Sequence, residues 1–306
     1  MARDGFFGIA SVTDPRYLVL QEPGNERTRE ARRFVELMWA RCAPFLDHNF
    51  VQQAATQFEA RFWELFLAYT LVSAGEQLVP TARRVRRRGG PDFRLERDGT
   101  WIEAVVATSG SGQDAVPDPL HGVASSVPDG EMQLRLRHAI EEKKRKRDKY
   151  VAEGVVRADD PFIVAINTGP IESALLEMDL PRIVRVVFPF GHEQVRMEVS
   201  SGRIVEVSHA YEDSIQKRSG ASVSTSIFLD RAYAGISAII QAHLDEYNRP
   251  RSVGGGFTLV HNPNAHAGLP LARFQFGVEY WKDGGELKHV QHEPNGGASD
   301  ETDHGV

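Results

Sequence analysis

Two acidic side chains, Glu64 and Glu103, stand in this sequence where an acid is hard to place without a partner, and a third, Asp92, stands in a hairpin with one of them. Glu64 is the one charged residue between Phe62 and Ala74, the most apolar helical stretch of the chain. Glu103 lies in Trp101-Ile102-Glu103-Ala104-Val105-Val106-Ala107, apolar on both faces as a buried central strand is. Asp92 follows Gly89-Gly90-Pro91 and opens Asp92-Phe93-Arg94-Leu95-Glu96-Arg97, which runs into Asp98-Gly99, a hairpin signal. A carboxylate removed from water alone is strongly destabilising, so a metal ion, a basic neighbour or a raised pKa is implied wherever such an acid is buried.

The hairpin brings two of these acids together. With Asp98-Gly99 as a two-residue turn, Arg97 pairs with Thr100, Leu95 with Ile102, Arg94 with Glu103 and Asp92 with Val105. Side chains alternate faces along a strand, so Asp92 and Glu103 share a face as diagonal neighbours, roughly 7 Å apart between Cβ atoms. At that separation both carboxylates can ligate one Mg²⁺ or Mn²⁺, with water in the other positions. A structural alternative stays open, in which the acids pair with Arg94, directly opposite Glu103, and with Arg97.

The elements that must position these residues follow from periodicity. Apolar residues at helical spacing predict a helix over residues 26–46, then a second from Asp47 or Asn49 that carries Glu64 and stops at Gly75. After the hairpin, the Gly/Ser/Pro/Asp-rich residues 108–130 read as a loop, and a charged helix runs from about Glu131 to Ala152 with Leu136, Ile140, Lys143, Arg147 and Tyr150 or Val151 on one stripe. The strand Phe162–Asn167 completes a strand, helix, strand crossover. Further along, strands are expected at Ile183–Phe190, Arg196–Val199, Arg203–Val207, Thr225–Leu229 and Phe257–His261, and a helix at Ala232–Tyr247.

Gly90-Pro91-Asp92-Phe93 and Ile102-Glu103-Ala104-Val105, with ten positions between the two acids, preceded by the helical Trp63-Glu64-Leu65, resemble the PD-(D/E)XK, or restriction-endonuclease-like, nuclease superfamily. The resemblance covers about residues 50–170. It implies an α/β (α+β mixed) core, a central mixed β-sheet flanked by helices, in which Glu64, Asp92 and Glu103 hold Mg²⁺ (or Mn²⁺) for hydrolysis of phosphodiester bonds, in DNA rather than RNA. The family pattern expects a lysine at the next position on the face of Glu103, where this chain has Val105. In some members that lysine comes from the following helix, and here Lys143 and its neighbour Lys144 are the candidates to stabilise the scissile phosphate, with Lys143 favoured by its place on the apolar stripe. The substitution by Val105 also leaves room for a second expectation, a nuclease-like fold that binds nucleic acid or a partner protein without cutting.

Charge and composition set the remaining bounds. The formal charge of −6 speaks against nucleic-acid binding only as a sum. Basic clusters at residues 83–88 and 143–149 bracket the acids, and Arg86, Arg87, Arg88 and Lys146 are the expected phosphate contacts. A single cysteine, Cys42, rules out an internal disulfide, and the short apolar stretch from Phe6 to Val12 lacks the pattern of an export signal, so a cytoplasmic protein is expected. No stretch reaches the ~20 apolar residues of a membrane span. The expected organisation is an N-terminal helical extension (1–49), the nuclease-like core (50–170), a C-terminal α/β elaboration of the same domain or a subdomain (171–290) and a disordered acidic tail (291–306). His261-Asn262-Pro263-Asn264-Ala265-His266 reads as a turn in preference to a metal site.

Overall fold

The computed structural model describes residues 5–9, 11–84, 89–120, 122, 126–177, 180–250 and 252–293. Its N-terminal part consists of helices α1 (Pro15–Gln21), α2 (Glu26–Cys42), α3 (Phe50–Ala54) and α4 (Phe58–Ser73). The sequence predicts one continuous helix where α3 and α4 stand, and the incoming N-terminal segment explains the break. Thr13 and Asp14 each donate their amide to the Ala55 carbonyl at 3.0 Å. Asp14 then caps two helices at once: Oδ1 accepts from the Arg16 amide at the start of α1, and Oδ2 from the Phe58 amide at the start of α4, both at 2.9 Å.

The described residues form a seven-stranded mixed sheet. Its first three strands are β1 (Phe93–Arg94), β2 (Trp101–Val106) and β3 (Phe162–Asn167); β1 runs antiparallel to β2, and β2 parallel to β3. The crossover between β2 and β3 is carried by α5 (Asp129–Ala152), whose predicted stripe of Leu136, Ile140, Lys143, Arg147 and Tyr150 is buried. Beyond β3 come helix α6 (Arg182–Val187), a hairpin of β4 (Phe190–Met197) and β5 (Ile204–Tyr211), and a smaller hairpin of β6 (Ser214–Gln216) and β7 (Ser222–Ser224). The sheet is then completed by β8 (Ala238–Ala242), β9 (Thr258–His261), β10 (Val278–Asp283) and β11 (Glu286–Gln291), in the order β1-β2-β3-β8-β9-β10-β11. One apolar cluster joins α1–α4 to Ile102, Ala104, Ile163 and Ala165, and a second joins α5 and α6 to Trp101, Val164 and Ile166, so helices cover both faces. Among the described residues no helix is long and apolar enough to cross a membrane.

Three predicted elements beyond residue 170 take another form. The segment expected to be a helix at Ala232–Tyr247 supplies β8, buried throughout and flanked by β3 and β9. A short apolar run such as Ala238-Ile239-Ile240 fits a buried strand as well as a helix, and the β-branched pair after Gly235 favours the strand. The expected strand at Ile183–Phe190 is largely α6; only helical spacing lets Arg182 and Arg185 both reach Asp129 Oδ1, each at 2.7 Å. Thr225–Leu229 holds a short 3₁₀ turn at Ile227–Leu229. Most of the expected tail lies outside the described residues, although Gln291 closes β11.

Asp14→Ala is expected to lower stability by about 1–3 kcal/mol, because each lost helix cap costs about 1 kcal/mol. The urea midpoint should fall with the m-value unchanged, and Asp14→Asn should recover part of the loss. A midpoint equal to that of the parent chain would contradict the double cap.

Candidate active site

The brevity of β1 opens the site. It pairs only Phe93 with Ile102 and Arg94 with Trp101, so β2 from Glu103 to Val106 has no β1 neighbour along that edge. Pro91 carries no amide for a ladder, which suits a strand that stops here. The Asp92 side chain takes the place of the missing strand, Oδ2 accepting the Ala104 amide at 2.7 Å. A cavity of ≈ 480 Å³ lies along this open edge, and Arg61, Glu64, Asp92, Glu103, Lys143 and Lys146 are among its lining residues.

The hairpin register differs from the expected one by two residues. Gly99 donates to the Leu95 carbonyl at 3.1 Å and Leu95 to the Thr100 carbonyl at 2.9 Å, which makes the turn four residues long. Asp98 holds it: Oδ1 accepts from the Thr100 amide at 3.0 Å, and Oδ2 from Arg273 Nε at 2.6 Å. A slip of two preserves the faces, because the side-chain period is two. Continued by one residue, this register sets Asp92 opposite Glu103 instead of diagonal to it. It also removes the expected alternative of a Glu103–Arg94 pair: Arg94 stands across from Trp101 with its guanidinium 4.9 Å from the indole centroid, and Arg97 is exposed in the turn.

Glu103 is fully buried and takes its partners from α5. Lys143 Nζ lies 3.1 Å and Lys146 Nζ 2.5 Å from the same oxygen, Oε1. The Tyr150 hydroxyl stands 3.4 Å from Oε2 and 3.2 Å from the Gly90 carbonyl. Lys143, Lys146 and Tyr150 are spaced by three and four residues and share one helix face. Glu64, in the second turn of α4, accepts from Arg61 Nη1 at 2.8 Å. Its neighbour Trp63 anchors the helix to the sheet through an indole hydrogen bond to the Ala165 carbonyl at 3.1 Å.

Glu64, Asp92, Glu103 and Lys143 therefore meet at one cavity. Lys144 stands apart: its ammonium pairs with Asp148 at 3.0 Å and lies 5.7 Å from the Tyr233 ring centroid. Lys146, expected only as a phosphate contact, is a direct partner of Glu103, and its place one turn along from Lys143 was the available signal. Arg61 and Tyr150 join the site without having been expected there. Arg86, Arg87 and Arg88 lie outside the described residues. The 261–266 segment forms the predicted turn, Ala265 donating to the Asn262 carbonyl at 3.2 Å, while the His261 ring meets Glu279 at 2.6 Å. Among the described residues no group of three or more His, Cys, Asp or Glu side chains is arranged to hold a metal ion as it stands.

Compared with protein-family models, with curated proteins and with solved structures, the chain matches none.

Electrostatics separate the acids. Burial, and then the charge of Asp92, push the Glu64 carboxyl well above the usual range against the pull of Arg61. Burial, and then the charge of Glu103, raise Asp92 to about 6 despite its hydrogen bond from Ala104 and the two lysines. An acid whose pKa is higher folded than unfolded weakens the fold above that pKa, and stability returns as pH falls through it. Asp92→Asn is therefore expected to stabilise the metal-free protein at pH 8 by about 1–3 kcal/mol, seen as a higher melting temperature, with the gain vanishing toward pH 4. Glu103→Gln should act in the opposite direction, costing about 3 kcal/mol, because it strips the buried Lys143 ammonium of its counter-charge. Thermal melts in EDTA at both pH values check this; two variants shifting the same way would refute the division of roles.

Proposed function

We propose that the chain is a divalent-metal-dependent nuclease of the PD-(D/E)XK type that hydrolyses phosphodiester bonds in DNA. One observation carries the reading: Lys143, from the crossover helix, brings its ammonium to 3.1 Å from Glu103 in the cavity that Asp92 and Glu64 also line. That supplies from α5 the cation that Val105 does not supply from β2. The order also agrees with the resemblance: α4, then a segment bridged to β1 through Leu78 and Leu95, the β1–β2 hairpin, α5 and the parallel strand β3.

The residues fit a hard divalent cation. Carboxylate oxygens are the donors that Mg²⁺ and Mn²⁺ favour, and burial, with a neighbouring carboxylate second, raises the pKa values of Asp92 and Glu64. Bound there, such an ion supplies Lewis acidity toward a phosphoryl oxygen and lowers the pKa of its water. Asp92 and Glu103 would hold it, and Glu64 would orient that water or complete the ligands. Lys143 offsets charge that develops on the phosphate, a role for a fixed cation in a partly dehydrated site.

A second reading, a nuclease-like fold that binds without cutting, draws on the lysine pair that already neutralises Glu103. Cleavage of plasmid, linear and single-stranded DNA in Mg²⁺ or Mn²⁺ separates the two. The nuclease is expected to lose activity in EDTA and in folded Asp92→Ala and Glu103→Ala variants, to fall by about a hundredfold or more in Lys143→Ala, and to retain activity in Lys144→Ala. Salt-sensitive DNA binding with no cleavage under any of these conditions would favour the binding module, and cleavage that survives Asp92→Ala would overturn the site.

A further inference from the structure

Two ammonium groups on a single carboxylate oxygen are one more than its charge requires. Lys143 and Lys146 both bear on Glu103 Oε1, yet their surroundings differ. The Lys143 side chain is 9 % exposed and lies on the buried stripe with Leu136, Ile140 and Tyr150. The Lys146 side chain is 43 % exposed at the cavity rim, its ammonium 5.8 Å from the Tyr150 ring centroid. A lysine stem of four flexible carbons lets an exposed ammonium swing into solvent without unpacking a core, a freedom that Lys143 lacks.

The charges add a reason for that movement. Around Glu103, the ionised Asp92 and Glu103 are already balanced by the protonated Lys143 and Lys146. A divalent ion beside Asp92 and Glu103 would add two positive charges within a few ångströms of the Lys146 ammonium, and repulsion at such range beside the fully buried Glu103 is strong. We propose that Lys146 is a resident stand-in cation on Glu103, which yields that oxygen to an incoming divalent metal ion and turns outward to bind a backbone phosphate of the nucleic acid. The proposal rests on the nuclease reading above and specifies how its site is loaded: cation and substrate binding are coupled through one side chain.

The test uses the full chain and Mn²⁺ alone, with free Mn²⁺ followed by electron paramagnetic resonance and folding checked by thermal melts. Lys146→Met removes the competing charge and is expected to bind Mn²⁺ about tenfold more tightly than the parent chain. Lys146→Arg keeps the charge and should stay near the parent value, which separates electrostatic competition from any loss of packing. Binding of a short duplex in Ca²⁺ gives the second readout: Lys146→Met should weaken it and reduce the slope of log affinity against log salt by about one, whereas in EDTA, with Lys146 held by Glu103, the variant and parent should bind alike. Equal or weaker Mn²⁺ binding by Lys146→Met, beside clear binding by the parent, would overturn the exchange and leave the metal site standing. Absence of Mn²⁺ binding in the parent and in both variants would overturn the metal reading itself.

Discussion

Glu103 is a carboxylate with no exposed surface, set in the middle of a strand that is apolar on either side of it. Its charge can persist there only if cations are brought to it, and α5 brings them. The ion pairs to Lys143 and Lys146 fix the rotation of α5 about its axis, because residues three apart must both face the sheet. That rotation in turn buries Leu136, Ile140, Arg147 and Tyr150 on the same side of the helix and leaves Arg145 and Lys149 of the basic run exposed. An ion pair as buried as Lys143–Glu103 is a poor route to stability compared with apolar packing. Its presence beside two further acids and an open strand edge fits chemistry done at that edge better than it fits a role in stability.

The second constraint is the early end of β1. A full partner strand would cover Glu103–Val106 and close the cavity. Instead Asp92 satisfies the Ala104 amide with its side chain and keeps its carboxylate beside Glu103. On the other side, α4 holds Glu64 at the same cavity because Trp63 is tied to β3 and Asp14 fixes where the helix begins. Each acid thus comes from a different element, and α4 is anchored by hydrogen bonds in which Glu64 takes no part.

The acids and their common face are legible in the sequence, their partners less so. Burial of Glu64 and Glu103 follows from their position, because an acid isolated in an apolar run is carried into the core that the run builds. The shared face of Asp92 and Glu103 survives a change of register by two, because faces repeat every two residues. The length of the turn departs from the local signal because Asp98 is engaged by Arg273, 175 residues away, a contact that no local pattern announces. The same kind of long-range contact makes Ile183–Phe190 largely a helix through Asp129, and sheet pairing makes a strand of Ala238–Ala242. Lys143 is legible as a charged residue on an apolar stripe. Lys146 is less legible: its place one turn along from Lys143 is a signal that it shares with Arg147, and the packing of the helix decides that Lys146 reaches Glu103.

The acids at the open edge of β2 are read as a divalent-cation site that Lys143 and Lys146 now balance, and the most direct test is a crystal structure of the protein with Mn²⁺, the metal located by its anomalous signal. The expected result is a peak at the carboxylates of Asp92 and Glu103, with Lys143 retained nearby and Lys146 withdrawn from Glu103. Crystals grown in Mn²⁺ that show no peak at this edge, with both lysines still bound to Glu103, would contradict it.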